Sequence, residues 1–235
     1  MAENAMAADS LVRAVKTTAA STAYAEIRRD ILSGALLPEQ KLRIDAICSH
    51  YHATVNPVRE ALNRLSAEGL VELRDQRGFS VAPVSFDHFV ELTNARCLIE
   101  TRAIAESIAH RTEAWENAVI ATLYQLNKTS RVVGDPPHPD PEWETRHDRF
   151  HNALIQNCGS KILLGYCAEL RERTGRYRVI AMTSAYARSK SEPEIEHSSI
   201  AQAALDGDTQ RAESLLSQHY RRTLAIIGTY FEAED

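Results

Sequence analysis

The run from His52 to Val81, HATVNPVREALNRLSAEGLVELRDQRGFSV, restricts the fold of this chain more than any other stretch. It opens with a helix start: Thr54 stands as candidate N-cap, and Pro57 falls in the first turn, where its missing N–H is harmless. The helix runs from about Val55 to Glu68, and Gly69 stops it. Leu70–Leu73 and Phe79–Ala82 then read as two short strands, with Gly78 in the polar turn between them. Upstream, residues 21–34 carry Tyr24, Ile27, Ile31 and Leu32 in a helical stripe closed by a glycine. ALLPEQ is a turn, and residues 43–52 form a short helix around Ile44, Ile47 and Tyr51. Three helices and a hairpin are the arithmetic of a winged helix-turn-helix over residues 21–83.

In such a unit the second helix of the pair faces the major groove with its N-terminal residues. Here those are Thr54, Val55, Asn56 and Arg59. A guanidinium can grip guanine O6 and N7 together, and an amide can donate to a base or a phosphate. Arg77 and Gly78 stand at the wing tip, where a side chain can enter the minor groove and glycine lets the backbone come close to the duplex. Charge qualifies this reading. Residues 21–83 carry eight Lys/Arg and eight Asp/Glu, residues 84–235 carry 17 and 22, and the net charge is −5. DNA binding therefore rests on placed arginines and not on a basic field. A three-helix unit with a hairpin also serves as a protein-interaction module, and the residues alone leave that open.

From Phe86 onward the chain reads as all-α. Helical stripes recur at 86–110, 113–131, 141–157, 160–183, 194–206 and 208–231, with no convincing strand, and VVGDPPHPDP at 132–141 is a loop. The expected architecture is mainly α: the winged helix-turn-helix, then an antiparallel helical bundle over residues 86–231, with Pro83 and Ser85 at the junction. Residues 1–20 are small, polar and alanine-rich, so they read as a flexible tail and not as a secretion signal. No run of about 18 apolar residues offers a membrane span. The four cysteines form no CxxC pair and read as free thiols in a reducing cytoplasm.

The bundle holds an unusual set of histidines. His147 and His151, four apart, share a helix face with Trp143, Phe150 and Leu154. His197 lies with Ile200, Ala201 and Ala204, and His219 with Leu215, Leu216 and Ile226. A single such histidine is most often a packed core side chain. Four on inward faces of three helices nearly fill the coordination sphere of a transition metal, zinc or nickel first. Two arginines also interrupt apolar stripes: Arg96, and Arg173 between Tyr166, Leu170 and Tyr177. A buried guanidinium needs an anion, which for Arg96 is either Glu100 one turn on or a ligand carboxylate.

Residues 21–83 resemble the DNA-binding domain of the GntR family. Ile31–Gly34, Pro38, Leu42, Pro57–Leu62, Arg64–Leu65, Glu68–Val71 and Arg77–Val81 carry that family's pattern. Glu39 replaces the glycine usual after Pro38, and Val55 stands where many relatives place an arginine. Residues 86–231 resemble the FCD effector domain of the FadR subfamily through Arg96–Glu100, Phe150–Leu154, Glu196–His197, Gly207–Asp208 and His219. The segment Trp143 to Ser160 is most similar to the carbon-starvation-induced (CsiR-like) regulators. The resemblance implies a DNA-binding set of Thr54, Asn56, Pro57, Arg59, Arg64, Arg77 and Gly78. It implies His151, His197 and His219 as metal ligands. His147 stands where aspartate is usual, with Asp148 displaced by one. It implies a small carboxylic acid held by the metal and by Arg96, Arg173 and Tyr177. The expected protein is a homodimeric, metabolite-responsive repressor on a double-stranded DNA operator, cytoplasmic and nucleoid-associated, with no membrane partner and no catalysis. Two alternatives remain: a metal-dependent hydrolase fused to a DNA module, for which neither HExxH nor a nucleophile with its base is found, and a DNA-binding scaffold without metal.

Overall fold

The computed structural model describes residues 18–134, 138–181 and 193–232. All but the last three residues of the tail, 1–20, lie outside them, as do the end of the helix expected over 160–183 and the centre of the loop expected over 132–141. The chain divides into two compact units. The first takes residues up to Arg29 together with Gln40–Val81, and the second takes Asp30–Glu39 and everything from Ala82 onward.

The first unit contains most of α1 (Ala19–Leu32), then β1 (Lys41–Leu42), α2 (Ile44–His50), α3 (Val55–Ala67), β2 (Val71–Arg74) and β3 (Gly78–Val81). The strands form an antiparallel sheet in the order β1-β3-β2, with Leu42 opposite Phe79 and Leu73 opposite Phe79 on the other side. β1 is a departure from the expected turn, since two residues leave no alternation to read. Val58, Ala61, Leu62 and Leu65 are buried along one face of α3. Gly69 ends that helix at φ +74. The Leu70 N–H then reaches back to the Leu65 carbonyl at 3.0 Å, and both leucines are buried, which is a Schellman stop with its apolar contact. Thr54 occupies the N-cap with extended backbone, but its side chain makes no capping hydrogen bond.

The second unit is helical: α4 (Phe86–Ala109), α5 (Glu113–Asn127), α6 (Pro141–Ile155), α7 (Lys161–Ala181), α8 (Pro193–Leu205) and α9 (Thr209–Phe231). Five starts are capped by side chains, Ser85 accepting from the His88 N–H, Thr112 from Trp115, Asp140 from Glu142, Ser160 from Leu163 and Asp208 from Arg211, with Pro141 in the first turn of α6. α5 ends at Asn127, short of the expected 131. The loop after it holds a two-residue ladder, β4 (Val132–Val133) against β5 (His138–Pro139), where no strand is expected. Trp115, Phe150, Leu154, Ile104, Val119 and Leu126 build the core, and the Trp115 indole N–H donates to the Ala153 carbonyl at 2.9 Å. α4 packs against α9 and α7, α5 against α6 and α8, and α8 against α9.

Candidate metal centre and nucleic-acid interface

Residues on α6 at a spacing of three to four face inward together, which is why Trp143, His147, Phe150, His151 and Leu154 are all buried. His197 on α8 and His219 on α9 meet them. One ring nitrogen from each of the four histidines lies within 4.8 Å of the other three. His151 Nε2 stands 3.1 Å from His147 Nε2, and the His197 and His219 rings are 4.7 Å apart. A zinc ion takes nitrogen at about 2.0–2.1 Å, so a small rotation of these rings closes them on one ion. His147 Nδ1 and His197 Nε2 are buried with no hydrogen-bond partner. A buried group of four imidazole nitrogens of this kind fits a metal, and the set fits zinc, nickel or copper better than magnesium or calcium.

Burial holds all four imidazoles below their ordinary pKa. Arg178 and the neighbouring histidines push His147 down further, His147 and His219 do the same to His151, and His219 and Arg178 to His197. For His219, burial outweighs the opposing pull of Glu196. The neutral imidazole is the form that binds metal. Glu196 Oε2 lies 2.8 Å from His219 Nδ1, and Arg222 lies 2.7 Å from Oε1. Burial raises the Glu196 carboxyl, but His219 and Arg222 together hold it below the usual range, so it is an anion accepting the Nδ1 proton.

A small cavity opens beside the cluster. His147 and His219 form one side of it, and Arg96 and Arg178 reach in from α4 and α7. Thr93, Thr174 and Thr223 add hydroxyls. Arg96 is buried, with Nε 2.6 Å from Glu100 Oε1, Nη1 on the Thr174 hydroxyl at 3.0 Å, and its guanidinium 3.9 Å above the Tyr220 ring. Burial opposes its charge, and Glu100 more than restores it. Arg178 is buried and donates to Glu144 at 2.9 Å.

The effector set read from the sequence is redistributed. Arg173 is not at the cavity: it is about a third exposed and pairs with Glu169 on its own helix at 2.7 Å. The inward stripe of α7 is Cys167, Arg171, Thr174 and Arg178, one residue on from the Tyr166–Leu170–Arg173–Tyr177 stripe. Tyr177 is buried but stacks on Phe89, with its hydroxyl 3.0 Å from His88 Nδ1, and does not line the cavity. Asp148 turns away from the histidines and takes Arg171 at 3.0 Å, so His147 is the member of that pair in the cluster. Glu100 takes Arg96 at i,i+4, the first of the two anions the sequence left open for it, and Glu196 stands beside His197 as in the FCD pattern. Arg178 and Tyr220 were not expected in the site; the apolar order of α7, read one position later, points to Arg178, and nothing local points to Tyr220.

In the first unit, Thr54, Val55, Asn56 and Arg59 are exposed at the start of α3, and Pro57 is half-buried behind them. Arg59 and Arg77 have no ion-pair partner among the described residues. Arg64 is exposed on the last turns of α3, its guanidinium 4.0 Å over the Tyr24 ring. Arg77 and Gly78 are exposed at the wing turn, which passes through the left-handed region at Gln76 (φ 62) and Gly78 (φ 77). Lys41 and Arg43, exposed at β1 and ahead of α2, add two cations that the motif did not single out. Among the described residues no helix is long and apolar enough to cross a membrane.

Comparison with known proteins gives a match on each half of the chain. The pattern of bacterial regulatory proteins of the gntR family matches residues 19–81, and that of the FCD domain matches residues 91–222. The HTH-type transcriptional repressor GlaR of Escherichia coli is 33% identical over 206 residues, covering 87% of this chain and 93% of its own. The HTH-type transcriptional regulator BphR of Paraburkholderia xenovorans is 32% identical, covering 88% and 84%. Among solved structures, E. coli McbR/YncC superimposes with a TM-score of 0.74 at 18% identity over 91% of this chain and 99% of its own, a likeness of fold.

Proposed function

Because the chain belongs to the gntR family of bacterial regulatory proteins and carries an FCD domain behind its DNA-reading head, we propose that it is a dimeric repressor released by a small carboxylic acid at a histidine-held metal. That it is a metabolite-responsive, DNA-binding transcription regulator and not an enzyme follows from the family itself. The finer reading is carried by one observation: four buried imidazoles cluster together, and two of them, His147 and His219, line a cavity that Arg96 and Arg178 also line. His147, His151, His197 and His219 would hold the ion, zinc or nickel, which when bound supplies a Lewis-acidic site for an oxygen ligand. Arg178 would take the free end of the acid, and the three threonines would orient it. No carboxylate belongs to the four-histidine set, which leaves an anionic oxygen ligand a place on the ion.

Thr54, Asn56, Pro57, Arg59 and Arg64 on α3, with Arg77 and Gly78 at the wing, are the proposed DNA contacts. Two such heads, one from each copy, reach successive major grooves about 34 Å apart. Exposed Leu98 on α4, with Ile162 and Tyr166 on the α7 packed beside it, supports pairing through the bundle. α7 offers a path for the signal. Thr174 and Arg178 face the cavity, Arg176 donates to the carbonyl of Ala82, and Tyr177 meets His88, so one helix touches both the ligand site and the segment leading out of the bundle. An acid that prefers one position of α7 shifts the protein toward it only by that preference.

The test is selection of genomic fragments by the purified full chain, followed by titration with zinc and a panel of small mono- and dicarboxylic acids. A fragment bound on the order of 1,000-fold more tightly than random duplex, and loosened by an acid only when zinc is present, is expected. Equal affinity for all duplexes under every condition overturns the reading.

A further inference from the structure

A histidine binds metal through the ring nitrogen that carries no proton, so a ligand histidine needs its proton held on the far side. Glu196 does this for His219. His151 has no carboxylate of its own. Its Nε2 faces into the cluster, 3.1 Å from His147 Nε2, and its Nδ1 lies 3.4 Å from the Tyr220 hydroxyl. That hydroxyl is 2.8 Å from Glu100 Oε2. Glu100 has no exposure to solvent; its other oxygen accepts from Arg96 Nε at 2.6 Å, and Arg171 stands 3.8 Å from Oε2. Both Glu100 oxygens are thus taken by donors, Oε1 by the Arg96 N–H and Oε2 by the phenol. The Tyr220 proton therefore points to Glu100. The phenol oxygen is left with its lone pairs toward His151, and only a proton on Nδ1 can meet them.

We propose that Glu100 and Tyr220 are positioning residues for His151, forming a relay from His151 Nδ1–H to the Tyr220 oxygen and from the Tyr220 O–H to Glu100. The relay fixes the Nδ1–H tautomer and turns the Nε2 lone pair into the cluster. It also gives Arg96 its task. With Nε on Glu100, Nη1 on Thr174 and its plane over Tyr220, Arg96 is the counter-ion that keeps the end of the relay an acceptor. The inference rests on the metal reading of the four histidines and assigns the two groups behind one of them.

The experiment uses the full chain and its Tyr220→Phe and Glu100→Gln variants. Zinc affinity is measured by competition with a chromophoric chelator. Long-range proton–nitrogen NMR of the imidazole rings reports the tautomers, and His151 is identified by the signals lost in His151→Gln. In the metal-free wild type, His151 is expected as the Nδ1–H tautomer. Tyr220→Phe keeps the ring against His151 and Arg96 and removes only the hydroxyl. It is expected to give mixed tautomers and to weaken zinc binding about tenfold or more. Glu100→Gln, whose amide N–H can turn toward the phenol and reverse the relay, is expected to shift His151 to the Nε2–H tautomer and to weaken zinc binding likewise, which covers the case of a phenylalanine variant that does not fold. If the wild type binds no zinc, the metal reading fails, and the relay with it. If the wild type binds zinc and both folded variants keep its affinity and its His151 tautomer, the relay is overturned and the metal reading stands.

Discussion

Arg178 lines the cavity beside His147 and His219 and donates to Glu144 at 2.9 Å. Hydrogen bonds to charged groups are worth about 1.5–3 kcal/mol, so Arg178→Gln is expected to weaken acid binding roughly 10- to 100-fold with zinc content unchanged. Arg173→Gln, on the outer face of the same helix, is expected to leave both unchanged. Calorimetric titration of zinc-loaded protein with the best acid from the panel checks the pair. Cysteine chemistry follows from burial in the same way. Cys97, Cys158 and Cys167 are buried, and burial pushes the Cys167 thiol up to about 12, whereas Cys48 is half-buried. A thiol-reactive dye at pH 8 should therefore label Cys48 alone in native protein, and all four after denaturation. The residue scale also shows where one changed letter left a trace. Glu39, at the position where the GntR pattern it resembles has glycine, has a left-handed backbone at φ 62.

Whole elements were legible wherever apolar residues repeat over several turns. α6 announced itself by the spacing of Trp143, His147, Phe150, His151 and Leu154, and the structure brings those side chains inward together. α7 was legible as a helix but not in its orientation. Two stripes one residue apart both carry apolar and basic side chains, and packing against α4 selects the Arg171–Thr174–Arg178 frame. β1, β4 and β5, of two residues each, left no periodicity at all. Contacts that depend on the meeting of distant helices, such as Glu100 with Tyr220 120 positions later, have no local signal. Two predictions belong to this scale. Leu154 has no exposure, so Leu154→Ala should cost about 2–5 kcal/mol in urea unfolding of the bundle. His52, at φ 51 in the turn joining α2 to α3, pays for a left-handed backbone, and His52→Gly should raise the stability of the first unit by up to about 1 kcal/mol. A lower melting temperature for that glycine variant would show that the His52 side chain contributes more than its backbone costs.

At the scale of the molecule, the metal and the duplex act on different units and should be separable. Chelation is expected to lower the melting of the histidine-bearing bundle by roughly 10 °C relative to protein in a thousandfold excess of zinc over its Kd, with the first unit's transition unmoved. Identical melting with and without zinc would favour a packed cluster that holds no ion. Duplex affinity should fall steeply between 50 and 200 mM salt, by about an order of magnitude or more for a few phosphate contacts, and Arg59→Ala should flatten the discrimination between sequences more than the salt slope. The division of the chain carries a last consequence. The first unit is not one uninterrupted stretch, because Asp30–Glu39, the end of α1 and the turn after it, is counted with the bundle. Three peptide links, not one, pass between the halves. A recombination event that swaps heads among relatives by a single crossover near Val81 would carry this decapeptide away from the bundle it grew up with, so a viable chimera has to trade in the ten residues as well.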